Sequence, residues 1–388
     1  MIHEEQRLAR AGLSRVLEPG SRAVAMALER SEPAELWERL VAGRPVTGVG
    51  PLAWDGIAAR LEGCSPQRDL DRLNALGGRL VCPGDEEWPA TRLTWTVNQL
   101  GGDKARDLAA PWGLFVRGPQ RLDEVVDASV AIVGARAATP YGDHVARELA
   151  LGLSERGVSV ISGGAYGIDG SAHRAALAAG SAPTIAVLAC GVDVAYPGGH
   201  DRMLAQVAET GLLVSEWPPG CAPTRNRFLV RNRVIAALSL GTVVVEAALR
   251  SGSLSTAGRA AELGRHVMAV PGPVTSMMSA GCHVLLRDAV ATLVTSTADV
   301  LELLGRPGEH LAPQLRAPAH PRDALDLSVR QVLDAVPVRS PAGVARIARA
   351  AGAGAMFVQQ VLPALLVAGL VEQRDGGWRL TALGAGRG

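Results

Sequence analysis

At 388 residues the chain exceeds one typical core, so two or three domains are expected. Hydrophobic residues at 48% and charged residues at 20% exclude a disordered chain, and aromatics at 3% leave the core to Ala, Val and Leu. The net charge of +1 decides nothing about nucleic acid, so any basic surface must come from local clustering. Lys104 is the only lysine among the 39 basic residues, which reads as codon bias in a GC-rich genome.

Residues 1–75 read as short helices broken by Gly and Pro, a small SAM-like helical domain. Its first residues, M-I-H-E-E-Q-R-L-A-R, lack the apolar core of a signal peptide. A connecting segment, 76–110, opens with the short strand and turn L-V-C-P-G-D-E-E-W-P and is irregular and polar over 89–110.

From 111 to 304 apolar runs alternate with amphipathic segments. The runs are 129–133, 158–162, 184–189, 212–215, 242–246 and 266–270, with helices expected at Gly142 to Glu155, Asp169 to Ala179 and Ser255 to Leu263. Continuous Val/Ile runs between helices indicate a parallel sheet covered on both faces, with ligands beyond the C-terminal strand ends. Residues 305–325 are rich in Pro, Gly and charge and read as a linker. Helices near 327–335, 341–351 and 355–368, then a D-G-G turn and W-R-L-T, give 326–388 the pattern of a winged helix. The fold class is therefore α/β, an extended Rossmann-like parallel sheet with a small helical N-terminal domain and a C-terminal winged-helix domain.

Three strand ends open into glycine- and serine-rich turns: I-V-G-A-R (132–136), I-S-G-G-A-Y-G-I-D (161–169) and V-E-A-A-L-R-S-G-S-L-S-T-A (245–257). Glycine admits a phosphate to the backbone, and a helix N-terminus attracts it. Ser162, Ser251, Ser253 and Ser255 each either cap a helix or donate a hydroxyl to phosphate. Each turn alone is equally explained by the sterics of a tight bend; together they predict one anion-binding surface, with Arg136 as a forked donor at its mouth.

In P-T-R-N-R-F-L-V-R-N-R-V-I-A-A-L-S, Arg225, Arg227, Arg231 and Arg233 cluster just before a helix expected to begin near Val234. Asn226, Asn232 and Phe228 are interleaved, and Phe228 offers a stacking face. The bland alternative is a solvated basic loop, or internal ion pairs with Glu216 and Glu246. Glu246 is either a general base or an anchor for Arg231 or Arg233, and the anchor is favoured. His173, four residues after Asp169, reads as a surface or core histidine beside a helix-capping Asp169 rather than as an acid–base dyad.

Other chemistry is missing. No Walker A, H-E-x-x-H or G-x-S-x-G motif occurs, and no cofactor or metal is expected. Cys64, Cys82, Cys190, Cys221 and Cys282 form no C-x-x-C pair, which excludes a zinc ribbon and suits a reducing compartment. No run of about 18 apolar residues occurs, so no membrane is expected and the location should be cytoplasmic.

The ordered series V-G-A-R, S-G-G-A-Y-G-I-D-G-S-A-H, G-V-D-V-A-Y-P, S-E-W-P-P-G, F-L-V-R-N-R-V-I-A-A-L-S, V-V-E-A-A-L-R-S-G-S-L-S-T-A and V-M-A-V-P-G-P closely resembles the DNA-processing protein A (DprA/Smf) family. The likeness covers 111–303, half of the chain. It implies a non-enzymatic, homodimeric protein that binds single-stranded DNA without much sequence preference. It further implies displacement or bypass of single-strand binding protein and loading of the RecA recombinase, as in natural transformation. Matched motif by motif, the phosphate pocket falls on Gly134, Arg136, Ser162, Gly163, Gly164 and Gly167. Ser251, Gly252 and Ser253 would close it, and Arg231, Asn232 and Arg233 would line or brace it. Tyr166 stands where the family is often basic, and Cys282 and His283 replace small polar groups.

Two further readings compete. Related Rossmann-like folds cleave N-glycosidic bonds of nucleotides with a glutamate, a role Glu246 would fill by fold analogy alone. Alternatively, the winged helix is the working part; its Arg346 and Arg349 make a thin basic face, which suits protein contact at least as well as duplex DNA.

Overall fold

The computed structural model describes residues 3–45, 49–95, 109–305, 308, 310–312 and 321–386. Most of the segment expected to be irregular, and much of the expected linker, lie outside the described residues. The chain divides into two compact units, Met1–Ala312 and Pro313–Gly388.

The first unit opens with five helices, α1 (Glu4–Val16), α2 (Arg22–Leu28), α3 (Pro33–Val41), α4 (Pro51–Leu61) and α5 (Pro66–Ala75). Proline starts the last three, at the one position where its missing N–H is not needed. Leu13, Val16, Leu36 and Leu40 bury together against Trp112, whose Nε1 donates to Ser14 Oγ at 2.9 Å.

An α/β body follows. In order come β1 (Gly78–Val81), α6 (Ala90–Leu93), β2 (Leu114–Arg117), α7 (Leu122–Asp127), β3 (Ser129–Val133), α8 (Pro140–Ser154), β4 (Ser159–Ser162), α9 (Ile168–Ala179) and β5 (Ile185–Leu188). Then come α10 (Asp201–Thr210), β6 (Leu212–Ser215), α11 (Arg225–Leu238), β7 (Gly241–Val244), α12 (Gly252–Glu262), β8 (His266–Ala269), α13 (Ala280–Arg287), β9 (Thr292–Leu293) and α14 (Thr297–Leu304). The nine strands form one sheet in the order β1-β2-β6-β5-β4-β3-β7-β8-β9. Only β2 runs against the other strands, antiparallel to both β1 and β6. From β3 the order grows one way through β4, β5 and β6, and the other way through β7, β8 and β9. That reversal is the topological switch point, where such sheets leave a crevice. Separate apolar clusters pack the sheet: Ala131, Ile161 and Val244 belong to one, and Ile132, Val160 and Val243 to the other. Burial on both faces is why these strands read as unbroken apolar runs.

One expectation about this body is corrected. The helix foreseen near Val234 begins nine residues earlier, at Arg225, with Thr224 accepting from the Arg227 amide at 3.4 Å as its cap. The arginine-rich run hides a helix because it carries no apolar stripe. Its second turn onward is nonetheless buried, from Val230 through Leu238.

The second unit comprises α15 (Leu327–Ala335), α16 (Val344–Ala351), α17 (Ala355–Val367) and the hairpin β10 (Val371–Arg374) with β11 (Gly377–Leu380). Three helices and a wing around Val332, Ile347, Val358 and Leu362 make the winged helix. Among the described residues no single helix is long and apolar enough to cross a membrane.

Candidate nucleic-acid interface

The adjacent parallel strands β4, β3 and β7 deliver their three loops to the same edge of the sheet. Backbone hydrogen bonds lace those loops together. The Ala135 amide donates to the Glu246 carbonyl at 2.8 Å, and the Ile168 amide to the Ala135 carbonyl at 3.2 Å. Gly167, at φ 74°, sits directly on the Ala135 and Arg136 carbonyls, where any side chain would collide.

The three turns are not equivalent. In the loop after β4, Asp169 is buried and its Oδ2 accepts from the amides of Gly163 (3.1 Å) and Ala165 (3.4 Å). This corrects the expectation of a helix cap: α9 is capped by Gly167, and Asp169, inside its first turn, braces the glycine turn instead. Burial raises its pKa, and Arg231 works against that rise. Ser162 Oγ is spent on the Ile132 carbonyl at 2.6 Å, so no free hydroxyl faces a phosphate there. The Gly164 carbonyl accepts from His200 Nδ1 at 3.0 Å. Tyr166 is exposed, edge-on to His200 at 4.8 Å, and its hydroxyl accepts from the Gly199 amide.

The loop after β3 meets a second internal carboxylate. Glu246 accepts from the Thr139 amide at 2.9 Å and from Thr139 Oγ1 at 2.6 Å, at the start of α8. This corrects the expectation that Glu246 anchors Arg231 or Arg233. It is 1% exposed with both oxygens engaged by Thr139.

What stays open is the crevice between the first and third loops. A cavity of about 400 Å³ is lined by Gly134, Arg136, Phe228, Arg231, Asn232 and the Ser251, Gly252 and Ser253 turn, among others. Ser251 caps α12 and its hydroxyl shares a 2.7 Å hydrogen bond with Ser253. Asn232 Nδ2 ties α11 to the Gly252 carbonyl at 3.2 Å. The positive end of α12 therefore opens on the cavity. Arg136 and Arg250 flank it; both are exposed, and neither makes an ion pair among the described residues. The Arg136 guanidinium rests on the Phe228 ring, 4.9 Å from its centroid. Arg250 stands inside the third turn, yet the sequence does not single it out, because one arginine among many carries no local mark.

The four clustered arginines do not form one charged strip. Arg225 is exposed at the head of α11. Arg227 donates to Glu18 at 2.9 Å and covers Trp217 at 5.4 Å. Arg231, 4% exposed, donates to the carbonyls of Gly163 (2.8 Å) and Val187, and burial pushes its pKa down to about 10. Arg233 is fully buried against Glu216 at 2.7 Å. Burial raises the Glu216 carboxyl while Arg233 lowers it, and Glu216 Oε2 and Arg233 Nε find no partner among the described residues. The internal-pair alternative holds for Arg233, with Glu216. Position along α11 explains the division, since its first turn is partly open whereas every residue from Val230 onward is buried.

His173 is a core histidine. Its Nδ1 meets Thr184 Oγ1 at 2.9 Å, and burial lowers its pKa to about 3. Cys282 is buried, and His283 Nε2 meets the Gly272 carbonyl at 3.0 Å.

Fold and cavity define a doubly wound α/β protein with an arginine-flanked crevice at its switch point. The chain belongs to the DNA recombination-mediator protein A family, whose family model matches residues 79–305. It is 47% identical to the DNA processing protein DprA of Mycobacterium tuberculosis over 378 residues, 97% of this chain and 95% of that relative. It is 45% identical to protein Smf of Escherichia coli over 225 residues, 58% of this chain and 56% of that one. The X-ray structure of DNA processing protein A from Streptococcus pneumoniae matches with a TM-score of 0.60 at 29% identity, covering 78% of this chain and 98% of that one. DNA processing is therefore this chain's class of work.

Proposed function

We propose that the chain binds single-stranded DNA by its phosphate backbone in the crevice between the β3 and β7 loops, and passes the strand to the RecA recombinase. The observation that carries this reading is a pair of exposed guanidiniums, Arg136 and Arg250, that make no ion pair among the described residues and flank the open end of α12. Phosphodiesters are the polyanion such a site fits, because guanidinium forks and helix-end amides match their oxygens without reading a base. The protein acts by binding, not as an enzyme, and works as a cytoplasmic homodimer that contends with single-strand binding protein. Residues 111–304 form the DNA-binding domain of this reading.

Fluorescence anisotropy with a labelled oligo-dT, titrated at several salt concentrations, tests it. Wild type should bind with a log–log salt slope of roughly −0.7 per phosphate neutralised. The double variant Arg136→Ala/Arg250→Ala should stay folded, lose most of the affinity and show a shallower slope. Salt-independent binding, or full affinity in the double variant, would overturn the assignment.

A further inference from the structure

The chain spends its few aromatic rings unevenly. All seven tryptophans are buried or half-buried. All three tyrosines, Tyr141, Tyr166 and Tyr196, follow the ends of β3, β4 and β5 and are 40%, 49% and 41% exposed. Two of them have work within the fold. The Tyr141 hydroxyl donates to the Pro271 carbonyl at 2.6 Å, and the Tyr166 hydroxyl takes the Gly199 amide at 3.3 Å. The Tyr196 hydroxyl makes no hydrogen bond among the described residues. Its ring leans on Phe228, centroids 5.5 Å apart and planes tilted by 46°.

Phe228 is itself a poor platform for a base. Arg136 lies 4.9 Å from its centroid and Arg231 5.9 Å, so guanidiniums already engage its π-system. We propose that Tyr196 is the ring on which an unpaired nucleobase stacks, and that Phe228 is the pedestal that holds Arg136 toward the phosphate. This deepens the single-stranded DNA reading and rests on it. The two rings divide one nucleotide between them: Arg136 on its pedestal takes the phosphate, and the neighbouring open ring takes the base. A stacking ring accepts any base, because every base has a π-face, so the contact adds affinity without sequence preference.

The test compares two labelled probes of equal length and phosphate number, oligo-dT and a fully abasic strand, on wild type, Tyr196→Ala, Tyr196→Trp and Phe228→Ala. Thermal melts confirm that each variant is folded. Tyr196→Ala should weaken oligo-dT binding about tenfold and leave the abasic strand unchanged, with Tyr196→Trp restoring the difference. Phe228→Ala should weaken the abasic strand, since it loosens Arg136, and oligo-dT at least as much, since Tyr196 leans on the same ring. Equal losses on both probes for Tyr196→Ala, or no loss on either, overturn the stacking role while leaving phosphate binding in place. Wild type that binds neither probe overturns the underlying DNA reading, and this inference with it.

Discussion

Arg136 and Arg231 approach the same phenylalanine and do opposite work. Arg136 is exposed on the lip of the crevice, with its forked donors open to solvent. Arg231 is buried on the underside, where it donates to the carbonyls of Gly163 and Val187 beside Asp169. The contrast extends to their neighbours. The lip carries Arg250 and the end of α12, whereas the underside carries the Arg233–Glu216 pair, Asp169 and His173. A charged side chain at this edge is thus either ligand-facing or part of the scaffold, and burial decides which. Underside groups should control stability with little direct effect on binding; lip groups should do the reverse.

The largest effect should come from Arg233→Ala. Removing one partner of a buried ion pair leaves the other without compensation, a loss of about 3 kcal/mol. Urea denaturation should show that loss, and replacing both Arg233 and Glu216 with apolar residues of similar volume should recover much of it. The folded fraction of Arg233→Ala should still bind oligo-dT with the wild-type salt slope. A stable variant that had lost DNA binding would erase the distinction between lip and underside.

Acidification probes the same underside. The folded pKa of His173 is lowered to about 3 from 6.5, so as pH falls below 6.5 the unfolded chain takes up the proton first. Stability is therefore lost on acidification, by up to about 1.4 kcal/mol per pH unit from this group, or about 2 kcal/mol at pH 5. Asp169 and Glu216 act with the opposite sign. Their raised pKa values mean that the folded state takes up their protons first, which favours it as pH falls. The informative quantity is accordingly the difference between wild type and His173→Gln. The variant's stability should fall less steeply between pH 6.5 and 5, and parallel curves would mean that His173 charges freely in the folded state.

Much of this architecture was legible in the sequence, for identifiable reasons. The parallel strands announced themselves because burial on both faces removes polar residues from them, and the glycine turns because tight bends exclude side chains. The inward arginines were legible only as an alternative. Internal pairing with Glu216 could be named, but Arg231 and Arg233 belong to a helix without an apolar stripe, and Glu216 lies 17 residues from Arg233, so nothing local chose the pair over a solvated loop. The partner of Glu246, Thr139, is 107 residues distant, so no local pattern could name it. Arg250 and Tyr196 lay within motifs already recognised; what marks them is that, among the described residues, the one has no ion pair and the hydroxyl of the other no hydrogen bond, which only three dimensions display.

The smallest expected effect is also the sharpest, because it separates two arginines of one helical turn. Arg227 gives its guanidinium to Glu18 and the Ala222 carbonyl and covers Trp217. Arg225 is exposed with no ion pair among the described residues. Arg227→Ala should cost about 1 kcal/mol of stability or less, as partly exposed pairs do, and leave the salt slope untouched. Arg225→Ala should leave stability unchanged and reduce the magnitude of the slope by at most about 0.7, one phosphate's worth. Urea melts and salt titrations on the two single variants distinguish them. If Arg227→Ala alone lowered the slope, the strand would have to displace Glu18, and the lip would extend to the end of α1.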